Sequence, residues 1–486
     1  MRNLFFSLLL LFVFQSVNLS QTIDGSWICL YATIDDEPNS TSYNTSDVGV
    51  IKENTFVAMV RRGTNTTNYL VGYTNADSVL GRMGYYAYGT SGVGGYRMPW
   101  ISGFDYIEMR EALDLAVSPD SLIYVANNDP ERNILVFKMS ADSVISTDYR
   151  MLSGADSLYA IDIDASKRVF VTQVIPGAPG KVLVFNSIAD DQNWLNPPHT
   201  STPLTTITVP DTGELRGIAV NPQGTVIYVT NYQAKKVYCY IGSPTAGYTL
   251  YTPFNSTFDD TIHATTGDTL RPGPWGVSYL KDKNILALSA AMNFSTGVSY
   301  EYGKVFFLNP NTGVYLDTLD CAEWNFLITG SYSNRGGGGW QGNVSGYTSP
   351  YGLDFDNTDH LYTVSYYGWT VDKWQYSGTL PTIPLTIVGI RRDESAVPAE
   401  FDLSQNYPNP FNPSTSIRFS LSNSEVISLD VYNLSGELVT SLINNAYFEK
   451  GAYTIDFNAS LLASGTYVYR LSNDNVSVSK KMTLIK

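Results

Sequence analysis

The feature that most constrains this chain is a strand–turn–strand–turn–strand unit that recurs along most of its length. It is clearest over residues 215–240, LRGIAVNPQGTVIYVTNYQAKKVYCY. Ile218 and Val220 flank Ala219, and Asn221-Pro222-Gln223-Gly224 then spells a four-residue turn. Proline stands where its fixed φ suits a type I turn, and glycine takes the fourth place. Val226–Asn231 is a β-branched and aromatic run, and Val237–Tyr240 is a third short run after the polar Gln233-Ala234-Lys235-Lys236. One such unit cannot hide its apolar faces alone. A tandem series can, by stacking its sheets around an axis.

Aligned on the first strand, further copies begin at Leu115-Ala116-Val117, Ile161-Asp162-Ile163, Val277-Ser278-Tyr279 and Leu353-Asp354-Phe355, each with a polar turn next. Second strands follow at Ile123–Asn127, Val169–Gln173, Ile285–Ser289 and Leu361–Ser365. Third strands follow at Ile134–Phe137, Lys181–Phe185, Lys304–Leu308 and Val371–Tyr376. A fainter copy starts at Val48-Gly49-Val50, with Phe56–Val60 behind it. The spacing exceeds the roughly 40–45 residues of a bare propeller blade, so insertions are expected at 81–106 and 319–347. The reading is an all-β propeller of six blades, with room for a seventh in either insertion. A right-handed β-helix is the alternative, but its rungs are shorter and more regular.

Composition agrees with strands and tight turns: 35 Tyr and 39 Gly among 486 residues. The net charge of −15 argues against nucleic acid or anionic lipid as the main partner. Cys29, Cys239 and Cys321 lie far apart with no CxxC pair. An odd count excludes a fully paired framework, although one bridge stays open. Residues 1–20 open with Arg2 and an apolar run over 4–14 that is too short to span a bilayer. They read as a secretory signal peptide. A lipid anchor at Cys29 is disfavoured by the bulky Ser26-Trp27-Ile28 before it, and no later segment reads as a transmembrane anchor.

The propeller is thus expected over 21–390, a charged and proline-bearing linker over 391–402, and a separate unit over 403–486. Asn406-Tyr407-Pro408-Asn409-Pro410-Phe411-Asn412-Pro413 cannot be helical. Alternating strands follow at Ser416–Leu421, Val426–Tyr432, Tyr453–Phe457, Thr466–Leu471 and Val476–Ile485, the pattern of a small Ig-like β-sandwich.

Two resemblances rest on these residues. Gly-Ile-Ala-Val-Asn-Pro-Gln-Gly at 217–224, with Ile-Tyr-Val-Thr-Asn at 227–231 and Ile-Tyr-Val-Ala-Asn at 123–127, resembles the YVTN-type propeller repeat of microbial surface proteins. The run at 352–362 is closer to an NHL-type blade. The second resemblance is sharper. The 406–413 opening, Val431–Gly436, Leu462–Tyr467 and the terminal 480–486 resemble the type IX secretion C-terminal sorting domain, which is related to the Ig-like module of flagellar hook-capping proteins. The residues that carry it are Asn406, Pro408, Asn409, Pro410, Phe411, Gly436, Ser464, Gly465, Tyr467, Lys480 and Lys486. The resemblance implies a Bacteroidota-like source and passage through the periplasm to the cell surface or beyond. It also implies the type IX translocon and its sorting protease as partners, with release or attachment to surface lipopolysaccharide afterwards.

Chemistry is harder to find. His199, His263 and His360 are the only histidines, and none has a companion at metal-ligand spacing. No GxSxG elbow exists, and Arg335-Gly336 through Trp340 lacks the Lys-Ser/Thr of a phosphate loop. Hard oxygens at Asp354, Asp356, Asn357 and Asp359 could hold calcium. Equivalent turns elsewhere, however, use the same residue types to bond backbone amides. Trp340, Tyr366, Trp369 and Trp374 could stack on sugar rings, or could pack the core. No catalytic set is named, and calcium is the one cofactor considered. The preferred expectation is a secreted propeller that binds or scaffolds, with a glycan among its partners. The alternatives are a propeller hydrolase or lyase with a channel metal, and a surface-layer or fibre component.

Overall fold

A computed structural model describes residues 27–32, 43–62, 67–73, 109–110, 112, 114–127, 133–139, 144–151, 157–244, 247–262, 269–292, 303–329, 350–365, 370–383, 387–393, 400–448, 450–459, 462–473 and 475–486. The signal-peptide segment, the 81–106 insertion, His263, Trp340, Tyr366 and Trp369 lie outside them.

Six antiparallel sheets follow one another along the chain, each with a run of four strands; in the fourth, the short Ser256–Thr257 strand also pairs with Lys236–Ser243. Their inner strands are Tyr43–Lys52, Asp114–Val117, Leu158–Ile163, Gly217–Val220, Pro272–Leu280 and Pro350–Phe355. Each lies beside the inner strand of the next sheet, and the sixth returns to the first, which closes a ring. This is a six-bladed propeller. No seventh sheet of this kind occurs among the described residues. A two-stranded pair, Thr261–Ile262 with Thr269–Leu270, falls between blades four and five, and the helix Cys321–Thr329 occupies the start of the second insertion.

Each blade has a fourth, outer strand beyond the three legible in sequence. Thr205–Thr212 is the example in blade three. Its residues alternate between half-buried or exposed and buried, and it contains Pro210, so it lacks the apolar run that marks its neighbours. Proline is tolerated because an edge strand need not donate outward. The outer strand of blade six is the N-terminal Trp27–Ala32, which pairs antiparallel with Thr370–Tyr376. Trp27 is buried there, stacked on Phe307 at 4.6 Å and tilted against Tyr376 at 5.3 Å.

Blade faces pack on both sides. Every residue of Gly217–Val220 and Val226–Asn231 is buried, which explains why these strands read as nearly unbroken apolar runs. Phe170, Val184, Ile218 and Val229 fill the space between blades three and four, and Phe56, Tyr362 and Val364 that between six and one.

The C-terminal unit has two antiparallel sheets. One joins Ile387–Asp393, Gly451–Asn458, Ser414–Leu421 and Asp402–Leu403; the other joins Leu438–Phe448, Glu425–Tyr432, Gly465–Ser472 and Ser477–Leu484. Thr415, Ile417, Phe419 and Leu421 alternate inward toward Leu429, Tyr469 and Leu484. The segment expected as linker begins inside a strand, since Arg391-Arg392-Asp393 pair with Ala452–Thr454. The charged run in the sequence therefore does not mark a break in structure.

Candidate functional site

The inner strands surround a channel at the centre of the ring. An inner strand has hydrogen-bond partners on one side only, so its other edge presents unpaired amides to the axis. Four aspartates satisfy them across the blade boundaries. Asp47 of blade one accepts from the Leu115 amide of blade two at 2.7 Å, and Asp114 of blade two from the Ile161 amide of blade three at 2.7 Å. Asp162 of blade three accepts from the Val220 amide of blade four at 2.7 Å, and Asp354 of blade six from the Val50 amide of blade one at 2.8 Å.

The aspartates occupy two levels. With the small central residue of each inner strand as reference, Asp162 and Asp354 sit on it, in register with Gly49, Ala116, Ala219 and Ser278. Asp47 and Asp114 sit two residues earlier, in register with Ala160, Gly217, Gly276 and Gly352. The residues not acidic are small because the strands nearly touch at the axis. A Cβ on Gly217 would lie 2.4 Å from the Trp275 carbonyl oxygen, and one on Gly276 would lie 2.3 Å from that of Tyr351. Where acids are missing, hydroxyls from second strands tie the blades. Thr172 Oγ1 donates to the Leu215 carbonyl at 2.9 Å and Thr230 Oγ1 to that of Trp275 at 2.7 Å, while Ser289 Oγ donates to that of Tyr351.

The channel encloses about 350 Å³, and its lining includes all four aspartates, Ser278, Asp282, Asn357 and one cationic side chain, Lys281. Burial pushes the four carboxyls upward. Asp47 stands well above the usual carboxylate range through burial and then the charge of Asp114, with which it hydrogen-bonds. Burial raises Asp114 to about 7 and Asp162 to about 6, and it raises Asp354 as well; Lys281 opposes the shift at Asp162 and Asp354. At the opposite end of the inner strands the Arg216 guanidinium lies between two rings, 4.3 Å from Tyr159 and 4.6 Å from Trp275. Trp275 meets Tyr351 edge-on at 4.5 Å. That stack links blades three to six.

The calcium candidates go three ways. Asp354 faces the channel. Asp356 turns into its own loop, where Oδ1 accepts from the amides of Thr358 at 2.8 Å and His360 at 3.0 Å, and Oδ2 meets His360 Nδ1 at 3.1 Å and the Tyr362 hydroxyl at 3.1 Å. Burial alone would raise Asp356, but the bonds from His360 and Thr358 hold it down to about 2. Asp359 turns outward, 3.6 Å from Lys283. Asn357 accepts from the Glu53 amide at 3.4 Å. No group of three His, Cys, Asp or Glu suited to a metal occurs among the described residues.

Trp374, a candidate for a ligand-stacking face or for the core, is fully buried. Its indole donates to Thr363 Oγ1 at 2.9 Å and meets Trp324 edge-on at 5.3 Å, so it has no face to offer. His199 is buried in a blade-three loop. None of the three cysteines is in a disulfide. The aspartate ring itself escaped sequence reasoning at Asp47 and Asp114, which precede the aligned trios. At 162 and 354 an acid between two apolar strand residues was the available signal.

In the sandwich, the motif residues meet. Asn406 is buried, and its amide group reaches the Pro408 carbonyl at 3.0 Å and Thr415 Oγ1 at 2.9 Å. Asn409 Oδ1 accepts from the Thr483 amide at 2.9 Å. Phe411, also buried, bonds through its backbone to Thr483 and Ile485, both at 2.9 Å. The Pro408 and Pro410 peptide bonds are cis. Gly436 closes a turn at φ 81°, and Tyr467 donates its hydroxyl to the Ala463 carbonyl at 2.8 Å. Gly465 pairs with Leu484, Lys480 pairs with Tyr469, and Ser464 Oγ accepts from the Lys486 amide at 3.0 Å. The 406–411 loop is thus fastened to the terminal strand.

Among curated proteins none matches this chain. Similar solved structures include a gluconolactonase from Xanthomonas campestris, 11% identical with a TM-score of 0.40 over 73% of this chain and 91% of that one. They also include the Cps50 (Swd1) β-propeller domain from Myceliophteria thermophila, 9% identical with a TM-score of 0.37 over 69% of this chain and 84% of that one. A third is the calcium-binding protein regucalcin from Agrobacterium tumefaciens, 10% identical with a TM-score of 0.36 over 74% and 95%. The assignment of this fold rests on the ring of six sheets itself. Residues 405–486 match the family model described as a secretion system C-terminal sorting domain. No helix among the described residues is long and apolar enough to cross a membrane. The chain carries a type IX sorting domain at its C-terminal end, and its destination is the cell surface or the extracellular space.

Proposed function

We propose that the exported propeller binds or scaffolds at the cell surface and performs no chemistry. The observation that supports this is the use of the channel carboxylates: Asp47, Asp114, Asp162 and Asp354 each accept a backbone amide from the neighbouring blade. A catalytic metal needs about three ligand groups converging on one open position. Carboxylates engaged in fastening blades are poorly placed for that. The N-terminal leader takes the chain to the periplasm, the translocon passes it outward, and the sorting protease detaches the tail. The partner is a surface glycan or lipopolysaccharide.

A second reading draws on the cavity. About 350 Å³ falls within the range of small-molecule sites, and buried acids with raised affinity for protons also occur in active sites. In that reading the chain is a hydrolase or lyase whose metal, calcium included, sits in the channel. Calorimetric titration of Ca²⁺, Mg²⁺ and Zn²⁺ into the purified chain separates the two. No saturable heat is expected, and none that disappears in both Asp162→Asn and Asp354→Asn. Saturable binding lost in both variants would replace the first reading with the second.

A further inference from the structure

The sorting motifs are far apart in sequence, yet they meet at one end of the sandwich. The loop 405–411 is fastened to 481–485, the 433–437 turn follows Tyr432, and Tyr432 pairs with Val468, which pairs with Lys481. Across this sheet Leu438, Tyr432, Val468 and Lys481 form one row. The same end carries the most exposed large apolar side chains among the described residues of the unit: Tyr407 at 82%, Leu434 at 69%, Ile485 at 53% and Leu438 at 49%. Apolar groups held together in water mark a surface that a partner covers.

Two of these side chains are held out by backbone that is itself fixed. The Tyr407 amide and carbonyl both bond to Ser416, at 2.9 Å each way, between the buried Asn406 and the fastened Asn409. Leu434 rides a turn closed by Gly436 to Asn433 and Asn433 to Glu437, both at 3.0 Å, with Asn433 Oδ1 accepting from the Ser435 and Glu437 amides at 3.0 Å. Side chains displayed on pre-set backbone lose little freedom on binding. Charge is lopsided too. Residues 403–486 carry six basic and six acidic side chains, and three of the basic ones, Lys480, Lys481 and Lys486, fall within the last seven positions.

We propose that this end is the surface by which the tail docks on the export machinery, with Tyr407 and Leu434 as anchors and Lys481 and Lys486 as a basic rim. The occupant is a translocon component that offers an apolar recess edged with acidic groups. Asn406, Asn409 and Phe411 have the other role: they shape the end and hold the terminal strand. The proposal rests on the sorting-domain assignment, which deletion of 403–486 tests separately.

The test is secretion of the full chain by a host with a type IX system, read as surface against periplasmic protein. Tyr407→Ala combined with Leu434→Ala is expected to cut surface delivery about tenfold or more, as loss of interface anchors does. The purified double variant should melt where the parent melts, because exposed substitutions hardly touch stability. Val426→Ala with Val476→Ala, at the other end of the same sheet and 41% and 46% exposed, should export normally. Normal export of the Tyr407/Leu434 variant overturns the proposal, and so does an equal defect in the Val426/Val476 control. Normal export after deletion of 403–486 overturns the sorting assignment along with it.

Discussion

Asp162 shows how much one side chain reveals about the role of the channel. Its carboxyl is raised to about 6 by burial, and Asp114 beside it in the ring to about 7. An unfolded carboxyl titrates near 4. The folded ring therefore holds protons that the unfolded chain gives up between about pH 4 and 7. Stability from these groups is complete below about pH 4 and is lost as pH rises through 6 to 7. The melting temperature should accordingly fall between pH 5 and pH 8. Asp162→Asn keeps an acceptor for the Val220 amide but carries no charge, so it should raise the melting temperature at pH 8 by about 2 °C and flatten the pH dependence. A scan of both proteins across that range checks it. Asp356 moves the opposite way, and its contribution is lost only as pH falls from about 4 through 2, outside this window. Asp162 and Asp354 stand in the sequence as acids between apolar strand residues, a signal that was available but was read only as strand and as a calcium ligand. Sequence could not expose their partners, because a hydrogen bond to the Val220 or Val50 amide depends on which strand comes next around the axis.

At the scale of elements, the blade is a sheet tied to its successor at the inner strand. Ser289 Oγ accepts from the Gly276 amide at 2.9 Å and donates to the Tyr351 carbonyl, joining blades five and six. Ser289→Ala leaves both buried backbone groups without that partner and should cost about 1–3 kcal/mol in chemical denaturation. First, second and third strands were legible because both faces are buried and period and turn chemistry agree. Outer strands such as Thr205–Thr212 were not, since one exposed edge frees their composition. In the sandwich the long strand Leu438–Phe448 was missed for a related reason. Its register slips against Glu425–Tyr432 at three places, so no clean alternation survives in the sequence. Aromatic side chains left two readings open, and Trp374 takes the core one; nothing in its neighbours' spelling separates a buried indole from a displayed one.

For the whole molecule, the ring closes on its own first strand. Trp27→Ala removes a large buried ring stacked on Phe307, so about 3–5 kcal/mol of stability should vanish from a denaturant melt. Deletion of 27–32 should go further and expose the Thr370–Tyr376 edge to pairing between chains, visible as concentration-dependent association in sedimentation. Such closure imposes an order of events. Trp27–Ala32 is synthesised first, yet its mate arrives only with residues 370–376, so the earliest strand waits for almost the entire disc before it has a place. A chain interrupted short of Thr370 leaves that strand unclaimed, and a chaperone that guards it during the wait would have the longest watch of any on this molecule.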